Sequence, residues 1–109
     1  MCVIIYFYFE GADYMDNVKY IRLIIDFVNS RYDDLYMGKY KFLHIYKYCL
    51  DMSYNDNVDK NRIKLIIRIV LKYLLDNGYL IKFKDCYMTK EKIDYNNVDY
   101  KVLMFNRFF

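Results

Sequence analysis

The sequence predicts an α+β domain: three helices, a C-terminal β-hairpin and an extra N-terminal strand. Three features point there. Residues 59–83, DKNRIKLIIRIVLKYLLDNGYLIKF, give one long amphipathic period, stopped by Asn77-Gly78 and followed at once by a strand-like run. Two shorter stretches upstream repeat the helical spacing of apolar residues. The opening CVIIYFYF is instead β-branched and aromatic, the content of a strand buried on both faces. At 109 residues the chain is long enough to bury its own core, and no repeat or linker divides it. One domain, 1–109, is expected, with residues 1–14 as an N-terminal strand extension and 16–106 as the core.

Each element has its own warrant. The strand over residues 2–9 is too apolar to remain an open edge, so the last strand or a second subunit should cover it. A second in-frame Met15 makes residues 1–14 an optional extension. Asp16 is expected to N-cap a first helix over residues 17–31, whose apolar face is Val18, Ile21, Ile24, Ile25 and Val28. Residues 32–38 connect, with Tyr36-Met37 as a token strand. Phe42, Ile45, Tyr46, Cys49 and Leu50 then mark a second helix over 39–51, and a polar turn follows. In the third helix Ile63, Ile66, Ile67, Val70, Leu71 and Leu74 form one stripe, while Asn61, Lys64, Arg68 and Lys72 project from the other side. Beyond Gly78, residues 79–83 are expected as a strand, 89–97 as a polar loop and 100–105 as the returning strand.

The stretches KFLHIYKYCLDM, NRIKLIIRIVLKYLLDNGYLIKF and VDYKVLMFN, in that order, resemble the winged-helix (winged helix-turn-helix) family of DNA-binding domains. RIVLKYLLDNGYLIK is similar to the usual end of that family's third helix, where a leucine-rich turn, a glycine stop and an apolar strand follow one another. The leading strand and the long turn before the third helix depart from the pattern. The resemblance implies a winged-helix-like core and a small transcriptional regulator, with the third helix in a DNA groove and the hairpin as its wing.

Charge is distributed to match. The net +3 divides into −3 for residues 1–37, +4 for 38–76 and +2 for 77–109, so positive charge gathers in the second helix, third helix and hairpin. The cations of the third helix repeat every four residues and repel rather than pair with one another. Lys60, Asn61, Lys64 and Arg68 are the expected groove side, because an amide suits bidentate contact with adenine and a cation suits guanine or phosphate. Lys39 and Lys41, with Lys82, Lys90 and Lys92 of the hairpin, would neutralise flanking phosphates. The expected partner is duplex DNA, with a homodimer assembled through residues 2–9 and no cofactor.

Two other functions compete. A protein-interaction module, binding a host or partner protein, would use Leu65 and Leu75, which fall among the basic residues of the third helix, together with the N-terminal strand. A metal-dependent nuclease would use Asp85 with Asp99 and Lys101, which resemble the Asp…Asp-x-Lys core of such enzymes: two carboxylates for Mg²⁺ and a lysine for charge. The remaining classes lose ground on composition. Cys2, Cys49 and Cys86 are widely spaced beside a single histidine, so no zinc site is expected and the thiols read as reduced. Ser30, Ser53 and His44 make a poor nucleophile set. The longest apolar run has eight residues against the roughly twenty of a membrane span, so an intracellular protein is expected, in a host cell if viral. Fifteen Tyr, eight Phe, no Pro and no Trp follow the codon bias of an A/T-rich viral or archaeal genome more than any stacking function.

Overall fold

The computed structural model describes residues 12–34, 38–53 and 59–104, an α+β arrangement of four α-helices and a three-stranded antiparallel sheet. In chain order these are α1 (Ala12–Tyr32), β1 (Lys39–Lys41), α2 (Phe42–Met52), α3 (Lys60–Asp76), β2 (Leu80–Phe83), β3 (Cys86–Thr89) and α4 (Tyr100–Met104). A single 3₁₀ turn, Tyr95–Asn97, precedes α4. The sheet order is β1-β3-β2, so the last strand of the hairpin lies in the middle.

α3 is the centre of the molecule, packed on α1, α2, β2 and α4. Asp59 starts it by accepting the Asn61 N–H at 2.9 Å. At its other end Gly78, at φ 78°, turns the chain, with Gly78 N–H on Leu75 O and Tyr79 N–H on Leu74 O. That pair of reversed bonds is a Schellman stop, and it needs a residue at ease in the left-handed region. The predicted stripe, Ile63, Ile66, Ile67, Val70, Leu71 and Leu74, is buried throughout, and Ile69 joins it. Burying seven aliphatic side chains contributes on the order of 10–20 kcal/mol before chain entropy is subtracted. Because four elements surround α3, Leu65 and Leu75 also pack against the core. They are not the free apolar groups expected from the wheel.

Several predicted boundaries are corrected. α1 runs through Asp16 from Ala12, since residues 12–16 contain no helix breaker, so Asp16 does not cap it. The second helix begins at Phe42 rather than 39, because Lys39–Lys41 pair with β3 and alternate exposed, buried, exposed. The return strand is Cys86–Thr89, not 100–105, because Lys84-Asp85 reverse the chain in two residues with Lys84 at φ 54°. The apolar run at 100–105 is instead helix α4 over Tyr100–Met104, placed by Asp99 accepting the Val102 N–H and by Leu103 in the core. The predicted strand at 2–9, the token strand at 36–37 and the turn at 54–58 lie outside the described residues.

Polar ties lock sheet to helices. Thr89 donates to Val28 O at 2.7 Å, which commits its proton, so Tyr40 must donate to Thr89 Oγ1, 2.9 Å away. Asn29 holds Ile93 as a neighbouring strand would, accepting from its N–H at 2.7 Å and donating to its carbonyl at 2.9 Å. In register, Tyr40, Tyr87 and Lys82 stand side by side. Tyr40 is buried, so that row faces the helices. Lys39, Met88 and Ile81, with Lys41, Cys86 and Phe83, therefore face the other way.

Candidate nucleic-acid interface

The exposed stripe of α3 is narrow, because α2 flanks it on one side and the hairpin on the other. Lys60 and Asn61 open it, exposed on the first turn. Lys64 and Arg68 follow, each resting on an aromatic ring of α2. Lys64 Nζ is 5.1 Å from the Tyr46 ring centroid, and Arg68 Cζ is 5.3 Å from that of Phe42. Phe42 and Tyr46 are four apart on α2, as Lys64 and Arg68 are on α3, so the two rows meet rung by rung. Each contact contributes about 0.5–1 kcal/mol at such exposure and holds the cation at a fixed place without neutralising it. Lys72 differs: it bonds Asp76 on the next turn at 3.1 Å, so the row's last member does pair within its own helix.

The hairpin continues the line of cations. Arg68, Lys72 and Lys82 share a cleft of about 210 Å³ with Phe42 and Tyr87, between α3, α2 and the sheet. Lys82 sits over the Tyr87 ring at 5.6 Å. It also lines a second cleft, of about 520 Å³, at the hairpin end with Lys39, Lys84 and Phe83. Lys39 rests over Phe83 at 5.4 Å. Asp85 belongs to the same place but is bonded to Lys41 at 3.2 Å, and that bond holds its carboxyl below the usual carboxylate range. The two acids that line these clefts, Asp76 and Asp85, are thus each matched by a lysine.

No protein-family model, curated protein or solved structure matches this chain. Of the nine residues expected to touch DNA, the structure brings Lys64, Arg68 and Lys82 together on the helix side of the sheet, with Lys60 and Asn61 at the head of the row, while Lys39 stands on the opposite face and meets Lys82 at the hairpin end. Lys41 borders the band but is tied to Asp85. Lys90 is exposed just beyond β3, where its backbone N–H closes onto Tyr79 O. Lys92 lies elsewhere: Asp33, after α1, binds it at 2.7 Å and raises its pKa, and the Tyr32 ring lies beneath at 5.8 Å. Neither Lys90 nor Lys92 is in the hairpin, since the hairpin turn is Lys84-Asp85.

Sequence reasoning misses Lys84 and the four rings. Lys84 is lost with the misplaced return strand. Tyr46, Phe42, Tyr87 and Phe83 are hidden among the other aromatics as codon bias, although the i, i+4 pair on α2 is a visible signal. The nuclease trio is not assembled. Asp85 is at the hairpin turn, whereas Asp99 lines a cleft between α3 and α4, its N–H bonded to the Tyr73 hydroxyl at 3.0 Å. Lys101 is exposed on α4 rather than on a strand. Among the described residues no group of three His, Cys, Asp or Glu side chains is placed to hold a metal ion. His44 instead accepts the Lys41 N–H through Nδ1 at 3.0 Å and so caps α2, and Cys49 is buried, its thiol pushed up to about 12. No helix among the described residues is long and apolar enough to cross a membrane.

Proposed function

We propose that this protein binds duplex DNA as a small winged-helix-type regulator, with the exposed stripe of α3 in a groove and the β2–β3 turn against the flanking backbone. One observation carries the proposal: the row Lys64, Arg68 and Lys82, carried round the hairpin end by Lys84 and Lys39, beside acids that are already paired with Lys72 and Lys41. Phosphate oxygens would supply the anionic partner that no acid among the described residues gives Lys64, Arg68 and Lys82. Helix, strand, helix, helix and hairpin in that order support the family reading, and the two-residue turn makes the wing short. Asn61, at the head of the stripe, is the residue of choice for adenine. Source, regulatory role and assembly follow the same expectation: a viral or archaeal regulator acting as a homodimer inside the cell.

A specific surface favours the protein-partner alternative. Phe83 is 46% exposed on the sheet face turned away from the helices, beside half-buried Ile81, Cys86 and Met88. A second copy or a host protein would cover that face. Backbone amide shifts on titration with duplex DNA separate the two. The DNA reading expects shifts along residues 60–72 and 82–84. Unchanged spectra at low salt, with shifts at 81–88 on dilution of the protein, would replace it with a protein interface.

A further inference from the structure

We infer that the nucleic-acid footprint continues beyond the hairpin, round the N-terminal end of α2 and into a cleft between α1 and α2, so that the bound duplex bends. The inference rests on the DNA-binding proposal and extends it to a surface which that proposal does not require. The cleft has a volume of about 240 Å³, with β1 at its floor, and Arg31, Lys39, His44 and Lys47 line it. Asp51 is the acid in the same lining.

Its link to the band is direct. Lys82 lines both the α3 cleft and the hairpin-end cleft, and Lys39 lines both the hairpin-end cleft and this one. Two shared lysines therefore chain three cationic clefts into a single path. The path is not straight. On α2, Phe42 lines the α3 side, whereas Lys47 and Asp51 line the α1 side, roughly 140° and 180° further round the helix. A backbone touching both sides must pass the start of α2, whose helix dipole also favours phosphate oxygens.

Arg31 lies at the far end of this route, where a phosphate would compete with its Asp34 partner. Its guanidinium lies 4.8 Å from the Phe27 ring centroid, and Nη1 bonds Asp34 at 3.3 Å. Lys47 is exposed to one side of it on α2, and brings charge to the rim. The ligand chemistry is a phosphodiester backbone that can curve through the three clefts. Because duplex stiffness depends on sequence, such a path would also favour sites with flexible pyrimidine–purine steps.

The test uses the full chain and end-labelled duplexes of about 10 and 25 base pairs, titrated by fluorescence anisotropy across a salt series. Lys47→Gln and the double variant Arg31→Met with Lys47→Gln are compared with wild type, after thermal melting confirms that each folds. The double variant should bind the long duplex about tenfold more weakly, with a log K against log salt slope smaller by about 2. It should bind the short duplex nearly as well as wild type. Lys47→Gln alone, which alters no buried group, should show about half of the slope change. Wild-type affinity and slope for both variants on the long duplex, with Lys64→Ala/Arg68→Ala still impaired, would overturn the extended path and leave the α3 interface standing. A wild-type protein that bound neither duplex would overturn both, and the two failures are distinguishable.

Discussion

Thr89→Val isolates the polar chain that fixes the sheet to α1. Val28 O, the Thr89 hydroxyl and the Tyr40 phenol form that chain in a region where Thr89 is 7% and Tyr40 1% exposed. Replacing the hydroxyl with a methyl keeps the volume and removes two hydrogen bonds, each worth about 1 kcal/mol net. It also leaves the Tyr40 O–H buried without an acceptor, which costs a further 1–3 kcal/mol or so. The expected loss is therefore about 3–5 kcal/mol. Tyr40→Phe removes one bond and leaves no orphan donor, so about 1 kcal/mol is expected. In a Tyr40→Phe background Thr89→Val should cost less than in wild type, because no phenol is stranded. Urea unfolding followed by far-ultraviolet circular dichroism across the four proteins measures the coupling, expected at about 2–4 kcal/mol, the shared bond and the stranded phenol together. An equal cost of Thr89→Val in both backgrounds would show that the phenol does not donate to Thr89.

Two further outcomes concern the core. Burial pushes the Tyr40 phenol from 10.0 up to about 12 and pushes the Cys49 thiol from 9.0 up to about 12. Both groups are held neutral by the fold, so the unfolded chain binds fewer protons than the native one above their ordinary values. The contribution of these two groups should be flat below about pH 9 and fall through the window up to about 12, by roughly 1.4 kcal/mol per unit for each titrating group; urea midpoints should show a shallower fall above about pH 10 for Tyr40→Phe. Ile67→Asp places an unpaired carboxylate at a fully buried position among Ile63, Val70 and Leu71 and should abolish folding. A soluble variant with a cooperative melt would mean that the buried face of α3 is assigned wrongly.

The sequence is most informative where structure is local. The α3 stripe and its stop are legible because a 3.6-residue period and Asn77-Gly78 are written within one segment. β1 is not, since three residues carry no period and become a strand only by pairing with residues 86–88 far along the chain. The return strand escapes notice because Lys84-Asp85 lacks the glycine that usually marks a two-residue turn. Residues 100–104 mislead for another reason: a short apolar run fits strand or helix, and contact with the core decides. The candidate site divides the same way. Lys64 and Arg68 are visible as a row, and Lys72's partner Asp76 sits four residues on. The capture of Lys92 by Asp33, across the fold, has no sequence signature.

The most direct measurement of the central claim is an anisotropy titration of duplex DNA at two salt concentrations, with Lys64→Ala/Arg68→Ala run beside wild type. If the band neutralises about five phosphates, the slope of log K against log salt should be roughly −4 to −5. The double variant should still fold and melt cooperatively, about 1–2 kcal/mol less stable for the two lost ring contacts, because both cations lie outside the buried stripe. Its slope should shrink by about 2 and its affinity fall ten- to hundredfold or so. Wild-type binding no tighter than the variant's at low salt, or binding indifferent to salt, would contradict DNA recognition by α3.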